Sequence, residues 1–258
     1  MKIYLMLLCI LTIFNLAFAN TQTNLLFCYE DKSLPPYFLG EGADVPKDKP
    51  GATIELMRQL DLKFSELNIK YIRKPWKRCL DDLSKSTVDA VIGSYHAERE
   101  KFGVYPKVVD KVDPSKAISK HAVCFIKNKN SSFFWDGRNI QGNNKMVIAV
   151  TAGYMIIKVL EKLPVIIHET RSADQALILL KKKRVDAAVS LCQIDKYAMK
   201  RHNELESQFT LMYPPLHVKN GYLIVSHEYY QINEPLVQKI WNYLINLDKN
   251  AIYSEYFK

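Results

Sequence analysis

"VDAVIGSYHAEREKFGVYP", Val88–Pro106, decides how this chain is read. It starts as a short apolar run suited to a buried strand, breaks at Gly93-Ser94, and turns charged around Arg99 before ending on Val104-Tyr105-Pro106. A buried strand that runs into a polar segment marks the edge of a βαβ unit. A second stretch of the same kind follows later, "RVDAAVS" at Arg184–Ser190.

The segments upstream of each stretch keep one order. In the first unit, "NLLFCYE" (Asn24–Glu30) reads as a strand, and Thr53–Leu67 as a helix with Ile54, Met57, Leu60, Phe64 and Leu67 on one face. "IKYIR" (Ile69–Arg73) is a strand, Trp76–Lys85 a helix, and "VDAVIG" a strand. In the second unit, "KMVIAV" (Lys145–Val150) and "PVIIHE" (Pro164–Glu169) are strands joined by a helix over Tyr154–Lys162. A helix over Ser172–Lys183, opening at a serine cap, then leads into "VDAAVS". Alternating strands and helices with short connections imply parallel sheets with right-handed crossovers. Two such units predict two lobes.

"AISKHAVCFIKNKN" (Ala117–Asn130) reads as an extended crossing strand, followed by a polar loop at Asn128–Asn144. "HVKNGYLIVSHE" (His217–Glu228) reads as a strand returning to the first lobe. An amphipathic helix over Asn233–Leu247 and a short terminal helix close the chain. The expected organisation is therefore α/β and two-lobed, each lobe a mostly parallel sheet flanked by helices, with two crossing segments. The first lobe is expected to hold 20–117 and 220–258, and the second 118–219.

Residues 1–19 carry Lys2, an apolar run over Ile3–Phe14 and Ala17-Phe18-Ala19, the pattern of a cleaved secretory signal peptide. No later run approaches the roughly 18 apolar residues of a membrane span, so the reading is an exported, soluble chain starting near Asn20. Four cysteines remain beyond that point, Cys28, Cys79, Cys124 and Cys192. Disulfides are allowed in that compartment, and a Cys28–Cys79 bridge is expected because both fall in the first lobe. Their spacing fits no zinc pattern, and no metal or cofactor is expected. The net charge of +9 comes from lysines scattered through nearly every helix, with "KKKR" (Lys181–Arg184) at a helix end where cations suit the macrodipole. That pattern reads as a solvated surface and not as a nucleic-acid or membrane patch.

A two-lobed α/β protein binds its ligand between the lobes, at the carboxyl ends of its strands. The first strand is followed by "EDKSLPPYF", offering Asp31, Tyr37 and Phe38. After the second, "KPWKRC" offers Trp76, which reads either as core or as a flat stacking surface. After the third, "GSYHAER" offers Ser94 and Arg99, whose planar fork of donors matches a carboxylate; a surface or ion-pair role is the plainer alternative. In the second lobe "TAGYM" supplies Gly153 and Tyr154, and "SLCQID" supplies Ser190, Gln193 and Asp195. No G-x-S-x-G or H-E-x-x-H pattern is present, and no catalytic residue is assigned.

Taken together, "PPYF", the opening stretch, "RVDAAVS" and the ending from Gly221 resemble the family 3 extracellular solute-binding proteins, the polar-amino-acid receptors of bacterial ABC importers. The resemblance implies a type II periplasmic-binding-protein-like fold, a periplasmic location, a monomer, and an ABC permease as partner. It puts Arg99 on a ligand carboxylate with Ser94 beside it, Trp76 and Tyr37 on aromatic contacts, and Asp31 on a first-lobe acid. Gly153 and Tyr154 fall on the second-lobe segment that touches the same carboxylate. Three positions depart from the pattern: His96 replaces a threonine, Tyr154 and Met155 replace small hydroxyl residues, and Leu191 replaces the aspartate that holds an α-ammonium group. Asp195 or Asp31 could substitute for that acid. Two alternative functions share the scaffold, a soluble periplasmic sensor and a cyclohexadienyl-dehydratase-like enzyme using His96 or Asp31.

Overall fold

The computed structural model of the chain describes residues 22–141, 145–199 and 208–257. The expected leader lies outside them. Strands β1 (Thr23–Glu30), β2 (Leu67–Lys74) and β3 (Ala90–Ser94) run parallel in the order β2-β1-β3. The second lobe repeats the order, with β9 (Met146–Thr151) between β10 (Val165–Thr170) and β11 (Ala187–Ile194). In both lobes the first strand sits between the other two, so the chain reverses direction around it and leaves a crevice at its carboxyl end.

Two long strands join the lobes. β6 (Ser119–Asn128) and β13 (Phe209–Val225) pair antiparallel along their length, β6 flanking β11 and β13 flanking β3. Their register shifts between Met212 and His217, around the cis peptide Tyr213–Pro214. β13 thus begins well before the His217 start read from the sequence. Its first part already belongs to the second lobe, because Phe209–Met212 pair with Phe125–Asn128.

Paired aspartates in the two lobes explain the recurring "VDA". Asp89 takes the Leu26 backbone N–H at 2.7 Å, and Asp186 takes that of Val147 at 2.7 Å. Each returns its own N–H to the carbonyl of the same residue, at 2.9 Å. The aspartate entering the third strand therefore pins the first strand of its own lobe.

Helices cover both faces. In the first lobe α1 (Ala52–Lys63) lies on one side and α2 (Trp76–Ser84) on the other, with the closing helices α5 (His227–Asn246) and α6 (Lys249–Ser254) joining the α1 side. In the second lobe α3 (Ile157–Leu160) and α4 (Ala173–Lys181) take opposite faces. α1 ends at Lys63, short of the expected Leu67: Phe64 turns extended, and Asp61 accepts the Ile69 N–H at 2.7 Å, which starts β2 at Leu67. α3 is shorter than the predicted Tyr154–Lys162 because Gly153 (φ +82°) and a turn at Tyr154 occupy its first residues. α4 opens at the predicted Ser172 cap, whose Oγ accepts the Gln175 N–H at 3.2 Å. α5 starts at His227, earlier than predicted, and kinks at Asn233, where Pro235 cannot donate to the turn before it.

The predicted polar loop after β6 is partly core. It forms a small ribbon, β7 (Phe134–Trp135) with β8 (Ile140–Gln141), and Phe133 and Trp135 pack edge-on against Phe125 with ring centres 5.1 and 5.4 Å apart. The expected Cys28–Cys79 bond is present and ties β1 to α2. A second joins Cys124 to Cys192. Cys192 is the extra residue where the β11 register shifts against β6, and that bulge brings its side chain to Cys124. The two remaining short ribbon strands, β4 (Lys107–Val108) and β5 (Lys111–Val112), pair on the surface, and β12 (Tyr197–Ala198) pairs with β11. Among the described residues no helix is long and apolar enough to cross a membrane.

Candidate functional site

The carboxyl ends of β1, β3, β9 and β11 meet at a cavity of about 140 Å³ between the lobes, backed by the crossing strands β6 and β13. Five of the seven candidate residues line it, and a sixth, Gly153, is bonded to one of them. Arg99, Trp76, Ser94, Tyr37 and Tyr154 line it, and the Gly153 carbonyl accepts from Arg99. Asp31 does not line it. β1 ends at Glu30, as expected; Glu30, its last residue, lines the cavity, while Asp31 sits in the turn beyond it with its N–H on the Lys74 carbonyl.

Arg99 ends a single 3₁₀ turn, Ala97–Arg99, that folds back under β3. Its Nη1 donates to the Ser94 carbonyl at 3.2 Å and its Nη2 to the Gly153 carbonyl at 3.1 Å. The guanidinium lies 5.4 Å from the Trp76 ring, a cation–π distance. Gly93 makes the stack possible: a Cβ there would sit 3.2 Å from Arg99 Nη1 and 3.4 Å from Trp76 Cη2. Arg99 is only 4% exposed, its Nε is buried without a hydrogen-bond partner, and among the described residues no carboxylate pairs with it. Burial lowers its pKa, and neighbouring Tyr105 and Tyr154 partly offset this. Arginine nonetheless stays protonated in proteins, so the cavity wall carries a positive charge whose only partners are neutral.

The remaining polar groups are neutral or nearly so. Burial pushes the Glu30 carboxyl up to about 7, against the lowering effect of the Tyr154 hydroxyl that donates to it at 2.7 Å. His121, from β6, holds Ser94 Oγ at 3.1 Å through Nε2, while its Nδ1 is buried without a partner. His217, from β13, lies beside it with ring centres 6.5 Å apart. Burial drives both imidazoles down to about 4; His217 and Arg99 add to the effect on His121. Apolar residues, among them Ile92, Val123, Val150, Val189 and Leu191, complete the wall.

His96 and Asp195 lie elsewhere. His96 caps the 3₁₀ turn, its Nδ1 accepting the Glu98 N–H at 3.3 Å. Asp195 accepts the Lys120 N–H at 3.0 Å and lines a separate hollow behind the crossing strands. Neither Gln193 nor Asp195 lines the cavity, whereas Ser190 does. Glu30, His121 and His217 were not singled out as cavity residues by the sequence. The rule of reading strand ends could have found Glu30, but the two histidines come from crossing strands whose register only the folded sheet sets.

Polar links bridge the two sides of the cleft, among them Tyr154 to Glu30, Arg99 to the Gly153 carbonyl, and Lys77 Nζ to Glu169 at 3.0 Å. Gly153 lets the lobes approach, since a Cβ there would sit 2.7 Å from Lys77 Cγ and 3.4 Å from Trp76 Cδ1.

No protein-family model matches the chain. No curated protein matches it in sequence. Among solved structures, it resembles the GluR0 ligand-binding core from Nostoc punctiforme in complex with L-glutamate, with a TM-score of 0.66 and 18% identity over 91% of this chain and 98% of that one. It also resembles an arginine third transport system periplasmic binding protein from Legionella pneumophila, at 0.66 and 17% over 91% and 99%. A histidine kinase sensor domain with similarity to periplasmic binding proteins matches at 0.65 and 14%, over 92% and 97%. The chain therefore has the two-lobed periplasmic-binding-protein fold.

Proposed function

We propose that this chain is a periplasmic receptor that captures a small carboxylate-bearing solute between its lobes for ABC-type uptake. The carrying observation is Arg99, a buried cation in the cleft wall with no acidic partner among the described residues. Buried charges are ordinarily paired, and a ligand carboxylate would supply the missing partner with the fork geometry a guanidinium favours. Trp76 stacks on the guanidinium and fixes its plane. Ser94, Tyr37, Tyr154 and the Gly153 carbonyl frame the same space. In this reading the lobes are 20–117 with 220–258, and 118–219, and the chain works as a monomer. A hinge at the crossing strands closes them, and closure shields the Arg99 pair from water and strengthens it. The L-glutamate bound by the GluR0 ligand-binding core and the arginine transport system of the Legionella pneumophila protein support a carboxylate ligand.

A thermal-shift screen of amino acids and organic acids tests this. A ligand at 100 times its Kd adds about 2.7 kcal/mol of stability. At least one carboxylate is expected to shift the wild type, and Arg99→Ala is expected to lose that shift. A screen in which every effective ligand lacks a carboxylate, or stabilises Arg99→Ala equally, contradicts the reading.

A second reading, a soluble sensor component, draws support from the likeness to a kinase sensor domain. Deleting the gene separates the two: loss of solute uptake marks the importer, and loss of a transcriptional response with uptake intact marks the sensor. The dehydratase alternative loses the groups it relied on, because neither His96 nor Asp31 lines the cavity.

A further inference from the structure

We propose that the ligand is a small monocarboxylate with an apolar body and no α-ammonium group, a refinement that rests on the receptor reading above. It follows from the charges lining the cleft. Among the described lining residues the only fixed cation is Arg99 and the only acid is Glu30. Glu30 already accepts the Tyr154 hydroxyl at 2.7 Å, and at pH 6.5, below its raised pKa of about 7, most of it is uncharged. Both histidines are neutral there. The cavity as a whole is therefore positive, and it balances a ligand of charge −1.

A zwitterion would fit badly. Its carboxylate would meet Arg99, but apart from the largely uncharged Glu30 its ammonium would be desolvated among neutral groups only, the apolar Leu191, Val189 and Val150 and the hydroxyls of Thr151 and Ser190. Taking an ammonium out of water without a charged partner costs several kcal/mol. Asp195, the nearest acid along β11 from Leu191, is turned to the far side of the sheet and bonded to Lys120. A carboxylate, by contrast, finds a cation at one end and a body-sized apolar wall around it. His121 lines the same wall, its Nε2 held at Ser94 Oγ.

Size narrows the class. A cavity of about 140 Å³ compares with the roughly 150 Å³ that holds benzene in a protein interior. A branched chain of four to six carbons fits at that scale, and a long basic side chain does not.

Calorimetric titration of the exported chain at pH 6.5 with two matched pairs tests this: 4-methylpentanoate against leucine, and 3-methylbutanoate against valine. Each carboxylate is expected to bind at least ten-fold tighter than its amino acid, and to lose at least ten-fold in Arg99→Ala. Leu191→Asp is expected to raise the leucine to 4-methylpentanoate affinity ratio at least ten-fold; if that variant does not fold, the wild-type ratios still decide. Leucine or valine binding tighter than its partner, with the advantage lost in Glu30→Gln, overturns this inference and leaves the receptor reading standing. No binding by any of the four overturns the inference, and the wider screen above then judges the receptor reading separately.

Discussion

His121 carries a cost that the wild type shows only in acid. Its imidazole is neutral in the folded chain because burial, His217 and Arg99 hold its pKa near 4, against 6.5 for the free group. Between those values the unfolded chain binds a proton that the native chain refuses, so stability is complete above pH 6.5 and falls as the pH drops towards 4. The slope is up to about 1.4 kcal/mol per pH unit. His121→Gln removes this titration while keeping a partner for Ser94. Urea unfolding from pH 7 to 4.5 is expected to show the wild type losing ground to the variant across that window. Parallel curves would mean that His121 takes up its proton in the native chain as readily as in the unfolded one. At this scale Arg99, Trp76, Ser94, Tyr37, Tyr154 and Gly153 were legible because strand ends point into an α/β crevice. The acid was misread by one position although the strand end was not: the candidates were taken from the loop past β1, whereas the acid that lines the cavity is Glu30, the last residue of the strand itself.

At the scale of elements, both βαβαβ units and both crossings were legible from apolar runs and their spacing. What their recurring aspartates do was not. Asp89 and Asp186 each hold the first strand of their own lobe at 2.7 Å, a contact across the fold that no local pattern encodes. Removing either carboxylate leaves a strand N–H without its partner, at about 1–3 kcal/mol. Asp89→Ala and Asp186→Ala are each expected to lose that much in urea denaturation, by similar amounts, since the two contacts are equivalent. A negligible loss in both would show that the bonds are replaced by water. The β6–β11 bulge and its Cys124–Cys192 bond were also illegible, because the second pairing depends on one residue of register. The loop carrying Phe133 and Trp135 was read as polar from its asparagines, and the two aromatics overrode that composition by packing on Phe125.

For the whole molecule, what matters is how closely the lobes can meet. They touch through Tyr154 and Glu30, through Arg99 and the Gly153 carbonyl, and through Lys77 and Glu169. Gly153 is a point of close approach, at φ +82° and with a Cβ there only 2.7 Å from Lys77 Cγ. Gly153→Ala adds that atom in a backbone region that L side chains disfavour. It is expected to weaken 4-methylpentanoate binding at least ten-fold by propping the cleft open, as read by calorimetry. Unchanged affinity would place the ligand-gripping surface within one lobe.

The most direct test of the Arg99 clamp is calorimetric titration of the tightest carboxylate from the screen into wild type and Arg99→Ala, with circular dichroism confirming that both are folded. Truncating one side of a buried charge pair costs at least about 2 kcal/mol, so a loss of roughly 30-fold or more is expected. Equal affinity in the two proteins would contradict the clamp and leave the buried charge of Arg99 without a function.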